Sequence, residues 1–539
     1  MKTTIIFFIS ILLFTPITVT PVPISNKSVT NEKYSYATID NSGIQWQMFK
    51  HDQRRTGLSE YDTSDNPGIE KWKYFADSRL HHTAVIDKDG ILYISTGRNE
   101  LYAVYPDGTM KWMIKFPWPI MGPYELAIDP DGTTIYLGSD THFSAYYTNG
   151  TLKWILDVGG WKNFVGYPVI DSNGIVYVGT YDGYLYAVYP NCTIKWEYKI
   201  NSYIAAPAVD NQGNIYFTSY NGRLYCLNPD GTLKWNTEEH ASYQYGPVIG
   251  NDGTIYALPH TDKLYAFNPD GSEKWHKELS DASGQVSIAP DGTLIVCGQD
   301  EYVVAMDPSN GDILWNYEVK DNAFDDQMTG AAIGSDGTIY FAYPKCICAL
   351  NPDGSLKWKE HLSTDYFPYD GMHVEFGTPS IGSDGTVYIT SWFLRGGSNY
   401  TDIGYIHAIG KGDPDAPSTP ILSGKTEGSS MVDYEFSITA TSPLGNNIYY
   451  QVDWSDEHSY TDWIGPYHSG ETIKLKHHWV DSGIYYQIAV RAKDVNGLFS
   501  PWGEYGFRTL LDKGIVPHGS YLLNLLEQFP LLENLLSLI

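Results

Sequence analysis

The amino-acid sequence predicts an all-β molecule: an eight-bladed β-propeller closed by an N-terminal strand, then an Ig-like β-sandwich, then a short helical C-terminal tail. Three observations carry this expectation. A phrase of roughly forty residues recurs along most of the chain, a period typical of propeller blades. Its last copy is incomplete, and the missing piece stands ahead of the first copy. The composition suits strands and tight turns, with 44 Tyr, 16 Trp, 51 Gly and 30 Pro.

The cleanest copy runs from Val169 to Tyr198, VIDSNGIVYVGTYDGYLYAVYPNCTIKWEY. An Asp-x-x-Gly turn leads into a β-branched run. A Leu-Tyr-Ala-Val strand follows, and a turn of Pro-Asp-Gly-Thr type opens a strand carrying Lys-Trp. The turn glycine recurs at Gly90, Gly132, Gly174, Gly213, Gly253, Gly292, Gly337 and Gly385. A small residue marks the third strand at Ala103, Ala145, Ala187, Cys226, Ala266, Ala305, Ala349 and Ala408. Four short antiparallel strands per phrase make a blade.

The tryptophan column reads Trp112, Trp154, Trp196, Trp235, Trp275, Trp315 and Trp358, one fewer than the glycines. The missing member is Trp72 in GIEKWKYF, before the first full phrase, while the last phrase ends at His407–Gly410 without a Lys-Trp. Residues 69–75 are therefore expected to supply the outer strand of the last blade, closing the ring and leaving no open edge. Each Trp is expected to lie across the neighbouring blade, over the small-residue column. On full burial Trp196→Ala costs about 3–5 kcal/mol.

This AxDxxxGxxxW-like pattern resembles the tryptophan docking motif of PQQ-type eight-bladed propellers over residues 45–411. The stretch Trp46–Ser59, WQMFKHDQRRTGLS, resembles the lead-in of secreted proteins of that PQQ-like repeat superfamily. It is expected to cap the propeller edge, with His51, Arg54 and Arg55 solvated or paired. The resemblance implies fold, not cofactor. Quinoprotein dehydrogenases of this type hold PQQ in the central channel with calcium and a catalytic Asp, often over a vicinal disulfide. This chain has no Cys-Cys pair and no CxxCH haem site. No catalytic residue is carried over, no cofactor is predicted, PQQ is disfavoured and calcium stays open.

Outside the repeat, an apolar run from Ile5 to Phe14 suits the core of a signal peptide, assigned to residues 1–24, and is too short to span a bilayer. Residues 25–44 and 412–419 read as linkers. From 420 to 510 the strands lengthen (YEFSITA, IYYQVDW, ETIKLKHHW, IYYQIAVRAKD), which indicates a β-sandwich. That stretch resembles PKD-like or fibronectin-type-III-like modules, with Asp453-Trp454-Ser455-Asp456-Glu457 where such modules often show Asp-Trp-Gly-Asp-Gly. Residues 511–539 carry Leu at helical spacing broken by Pro530, giving two short helices. Docking on the sandwich, a partner contact and a sorting signal are open roles for them.

A net charge of −28 opposes nucleic-acid and anionic-membrane binding and suits an extracellular protein. Of the five Cys, Cys226, Cys297 and Cys348 fall inside strand phrases as small hydrophobes. Cys346 and Cys348 share a strand face, which disfavours a bond between them. Cys192 is read as replacing the Asp of a turn, as an exposed free thiol.

Blade topology puts the near-identical Asp-x-x-Gly and Pro-Asp-Gly turns on one face. The variable loops fall on the other, where binding usually sits. The candidate ligand-binding residues there are His81, His82, Trp118, Tyr124, Trp161, Tyr203, Tyr243, Tyr245, Asp325, Asp326, Tyr366, Asp370, His373 and Glu375. Aromatic faces stack on sugar rings or peptide side chains, and carboxylates fix hydroxyls or calcium. Asp325–Asp326 and Asp365–Asp370–Glu375 read either as a solvated acidic rim or as oxygen ligands for a metal. Two functions follow. The leading one is a non-catalytic secreted or cell-surface scaffold binding extracellular carbohydrate or protein. The alternative is an enzyme using the funnel, either a PQQ-dependent oxidoreductase or a polysaccharide lyase or hydrolase.

Overall fold

The repeat phrase folds into a sheet for local reasons, best seen between Val169 and Lys199. Its strands are Val169–Ile170, Val176–Gly179, Tyr184–Val188 and Ile194–Lys199, paired in chain order. Asp171 shapes the first turn: its Oδ1 accepts from the N–H groups of Asn173 and Ile175, and its Oδ2 from the Tyr177 hydroxyl. Across the sheet, Val169, Tyr177, Ala187 and Trp196 lie opposite one another. Because Ala187 is small, the Tyr177 and Trp196 rings approach over it to 5.8 Å.

The computed structural model describes residues 43–510 apart from 77, 81, 117–124, 140–141, 159–166, 241, 244, 260–262, 280–283, 299–301, 320–327, 344–345, 362–373, 396–400, 412–413, 455–460, 481, 484 and 501–502. Among the described residues there is no helix, and seven four-stranded antiparallel sheets of this kind follow one another between Val85 and His361. A five-stranded sheet uses both ends of the repeat region. Ile69–Ala76 pairs with Thr401–Gly410, which pairs with Val387–Arg395, beside Val374–Phe376 and Ser380–Ile381. In it Trp72 stands opposite Ala408, as Trp196 stands opposite Ala187.

The tryptophans join each sheet to the next. The indole N–H of Trp72 donates to Pro106, Trp112 to Thr148, Trp154 to Pro190 and Trp196 to Pro229, each at a backbone carbonyl. Trp235 donates to Pro269, Trp275 to Pro308, Trp315 to Pro352 and Trp358 to Asn66. The last bond returns to the start, because Asn66 donates from Nδ2 to Gly385 and Ile409 of the five-stranded sheet. Gly231 shows why the receiving turn is tight. Its φ is +85°, and a Cβ there would lie 2.6 Å from the Trp196 ring.

Two expectations change. The lead-in does not cap an outer edge. Its carbonyls at Trp46, Gln47, Gln53, Arg54, Thr56 and Gly57 accept from the backbone N–H groups of Ile86, Ile128, Val209, Ile249, Ile288 and Ile333. These lie on or beside the innermost strands, whose inner edges would otherwise be unpaired. Arg55, expected to be solvated or paired, is accordingly buried and donates to backbone carbonyls. Cys192 does not replace an Asp. Asn191 takes that role, its Oδ1 accepting from the N–H and hydroxyl of Thr193, and Cys192 occupies the glycine position with φ +74°. Its thiol is partly buried, and burial raises its pKa.

Residues 421–510 form a three-stranded sheet (Ile421–Ser423, Tyr434–Thr439, Ile473–His477) and a five-stranded one ordered Glu427–Ser429, Gly503–Leu510, Tyr485–Asp494, Ile448–Asp453, Ile464–Tyr467. Alternate residues of Tyr434–Thr439 and Ile448–Asp453 point inward, and the shared core includes Phe436, Ile438, Tyr450, Val452, Trp479 and Phe507. The described residues all belong to one compact unit, Asp40–Ile539. The expected signal segment and helical tail lie outside them.

Candidate functional site

His82, Glu125, Tyr167, Tyr203 and Tyr245 stand one to five residues ahead of the innermost strands, and Gln285 begins one. Tyr245 and Gln285 share a cavity with Lys50 and Arg55 of the lead-in. Glu125 is 5% exposed; its Oε1 meets His82 Nδ1 and the Thr83 N–H, both at 3.1 Å. Its Oε2 is buried without a hydrogen-bond partner. Tyr167 packs on Phe49 with ring centroids 4.5 Å apart. The Arg55 guanidinium lies 5.4 Å from the Phe49 ring and 5.6 Å from the Tyr167 ring. It donates from Nε to the Pro207 carbonyl and from Nη2 to the Tyr167 carbonyl. Burial lowers the Arg55 pKa to about 10 and raises that of the Tyr167 hydroxyl well above the phenol range.

Beside this mouth stands an open aromatic group. Tyr203 lies between Tyr181 and Tyr220, with ring centroids 4.8 and 4.6 Å away. Tyr181 is 54% exposed and Tyr220 45% exposed. The loops linking the second and third strands carry both, so the trio belongs to the variable face. Further round, Glu375 Oε2 accepts from the Trp392 indole N–H at 3.1 Å, and the Arg79 guanidinium sits 3.8 Å from the Trp392 ring.

Of the residues proposed from the sequence, His82, Tyr203, Tyr245 and Glu375 take the positions just described. Tyr245 is half-buried, its carbonyl accepting from the Thr218 hydroxyl, and burial raises its hydroxyl pKa. Tyr243 is a correction. It is fully buried beside Ala208, Tyr216, Ile249 and Phe267, because its turn folds back into the seam between sheets, and it presents nothing to a ligand. His81, Trp118, Tyr124, Trp161, Asp325, Asp326, Tyr366, Asp370 and His373 lie outside the described residues. Sequence reasoning set Arg55 aside as solvated or paired and missed Glu125, Tyr167, Tyr181 and Tyr220. The last two carried a signal, since Tyr-Asp-Gly and Tyr-Asn-Gly fill the same position in successive phrases.

Among the described residues no cluster of three or more His, Cys, Asp or Glu side chains is placed to hold a metal ion, and no helix is long and apolar enough to cross a membrane. Between the lead-in and the sheets lies a cavity of about 20 Å³ lined by Lys50, Arg55, Tyr245 and Gln285 among others. That volume suits a water-sized species. Phe49, Lys50 and Arg55 of the lead-in lie around it.

The family model described as outer membrane protein assembly factor BamB matches residues 43–248 and 227–392. No curated protein sequence matches the chain. Among solved structures, BamB from Moraxella catarrhalis is 16% identical, covering 62% of this chain and 96% of that one, with a TM-score of 0.47. Sqt1 from Saccharomyces cerevisiae is 8% identical, covering 64% and 100%, with a TM-score of 0.47. The PKD domain of an M14-like peptidase from a Thermoplasmatales archaeon is 33% identical, covering 19% of this chain and all of that one, with a TM-score of 0.17. The family match spans well over half of the chain and runs over the repeated sheets: this protein belongs to the PQQ-like repeat β-propeller family described as outer membrane protein assembly factor BamB.

Proposed function

We propose that this is a non-catalytic, secreted or cell-surface binding protein. Its eight sheets form a closed eight-bladed ring, and its variable face takes an extracellular protein or carbohydrate chain. The Ig-like C-terminal sandwich, of PKD or fibronectin-type-III kind, serves as a spacer or second binding module. One observation carries the reading: the protein's own lead-in fills the middle of the ring, while an aromatic trio stands open beside it. A funnel enzyme needs space where its reacting groups converge; a binding scaffold needs a rigid body and exposed stacking surface. The family's description as an assembly factor supports a protein partner.

Peptide and glycan arrays probed with the whole chain test this. A ligand class bound by the wild type is expected to lose at least roughly tenfold in affinity in Tyr181→Ala and Tyr220→Ala, with melting unchanged. Dye-linked alcohol oxidation after addition of PQQ and calcium, with turnover, would replace the binding reading by the oxidoreductase one.

A further inference from the structure

We propose that the cavity beside the lead-in is a halide site, with the anion held between the side chains of Lys50 and Arg55. Both residues line the cavity, Lys50 3% exposed and Arg55 1% exposed. Both have positive φ, 57° and 61°, as does His51 at 70°. Their polar partners are neutral oxygens. Lys50 Nζ donates to the Val286 carbonyl and, at 3.4 Å, to the Ser287 hydroxyl, and Arg55 donates to the carbonyls of Pro207 and Tyr167. Arg55 Nη1 is buried with no hydrogen-bond partner. Among the described residues neither cation forms an ion pair with a carboxylate.

Two adjacent buried cations are costly unless an anion compensates them. Glu125 and Asp52 act on Arg55 at longer range, and Glu125 is already engaged by His82 and Thr83. Among the described residues Lys50 faces the Cys297 thiol and Arg55, and burial brings its pKa down to about 7. An anion beside Lys50 would hold on it the proton that burial otherwise drives off. The cavity is small, about 20 Å³, which favours a monatomic anion over a larger one. A halide is weakly hydrated and accepts N–H donors from several directions. Gln285 also lines the space with an unpartnered buried Oε1; turned by half a rotation, its amide offers an N–H instead. A water accepting from Arg55 and donating to Gln285 is the competing occupant.

The test uses the full chain. At net charge −28 every salt screens self-repulsion and raises Tm, so sodium bromide and chloride are compared with sodium gluconate at equal ionic strength. The halides are expected to raise Tm by a further ~2–4 °C at large excess over Kd, and Lys50→Met is expected to erase that difference. Crystals grown in bromide are expected to show an anomalous peak between Lys50 and Arg55, which decides the matter should Lys50→Met not fold. Equal melting in gluconate and halide, or an ordered water without anomalous signal, overturns the proposal.

Discussion

Trp196 and Cys192 show how much one position of the repeat governs. The outer strands are only half-buried, so each docking Trp has one face against the next sheet and one toward solvent. The cost of Trp196→Ala is therefore lower than full burial gives, about 2–3 kcal/mol, because less area is exposed and one hydrogen bond, to the Pro229 carbonyl, is lost. Urea melts check it; a change under about 0.5 kcal/mol would show that the indole does not clamp adjacent sheets. Cys192 makes the opposite case. It holds φ +74° where the other sheets carry glycine, and an L-residue pays for that conformation. Cys192→Gly is expected to stabilise by about 0.5–1 kcal/mol, less whatever its Sγ contact with the Ile155 carbonyl contributes. A lower Tm in Cys192→Gly would mean that this contact outweighs the backbone strain.

At the scale of elements, the closing sheet is where the two folded parts meet. Glu70, in Ile69–Ala76, is 2% exposed and accepts from His407 Nδ1 and Arg491 Nη1, each at 2.7 Å. Arg491 also donates to the Glu70 and Ser500 carbonyls and lies 4.4 Å from the Phe499 ring. Burial would raise the Glu70 pKa, but Arg491 and the His407 hydrogen bond outweigh it and hold the carboxyl well below the usual range. Arg491→Met strands a buried carboxylate and is expected to cost about 3–5 kcal/mol at pH 7. Because the folded pKa is depressed, this stabilisation is full above about pH 4.5 and fades as pH falls. The gap between wild type and Arg491→Met should therefore shrink in acid, and faster cleavage of the 412–419 linker by protease should accompany it. A pH-independent gap would mean that the guanidinium acts by packing alone. The closing strand was legible in the sequence because a repeat short of one Trp must find it elsewhere, and Trp72 was the candidate in sight. Arg491 was not legible: within IYYQIAVRAKD it reads as one more outward polar residue. The lead-in was misplaced for a related reason. It joins the inner strands through backbone carbonyls, which side-chain pattern does not report, and its two buried cations look like surface residues until the sheets surround them.

For the molecule as a whole, a net charge of −28 goes with two buried cationic residues in the lead-in, Lys50 and Arg55. Charge at the surface is stabilised by solvent, whereas Lys50 is buried. Its pKa falls from 10.5 unfolded to about 7 folded, with burial as the main cause. Between those values the unfolded chain keeps a proton that the folded chain has released, so stability rises with pH across this window. At 1.36 kcal/mol per unit, raising the pH from 7 to 9 in gluconate should add roughly 2 kcal/mol through this residue. The tyrosines with raised pKa values do not oppose it there, since they and their unfolded counterparts ionise only from about pH 10 upward. Lys50→Met removes the titrating group, so the wild-type curve should climb relative to that of Lys50→Met, while burial of the Cys192, Cys226 and Cys297 thiols, which raises their pKa values, pulls both curves down toward pH 9. Bromide should reduce this relative climb, because an anion beside Lys50 holds the proton on it. Parallel curves for wild type and Lys50→Met would show that Lys50 keeps its ordinary pKa inside the fold, and that its charge is compensated by something other than proton loss.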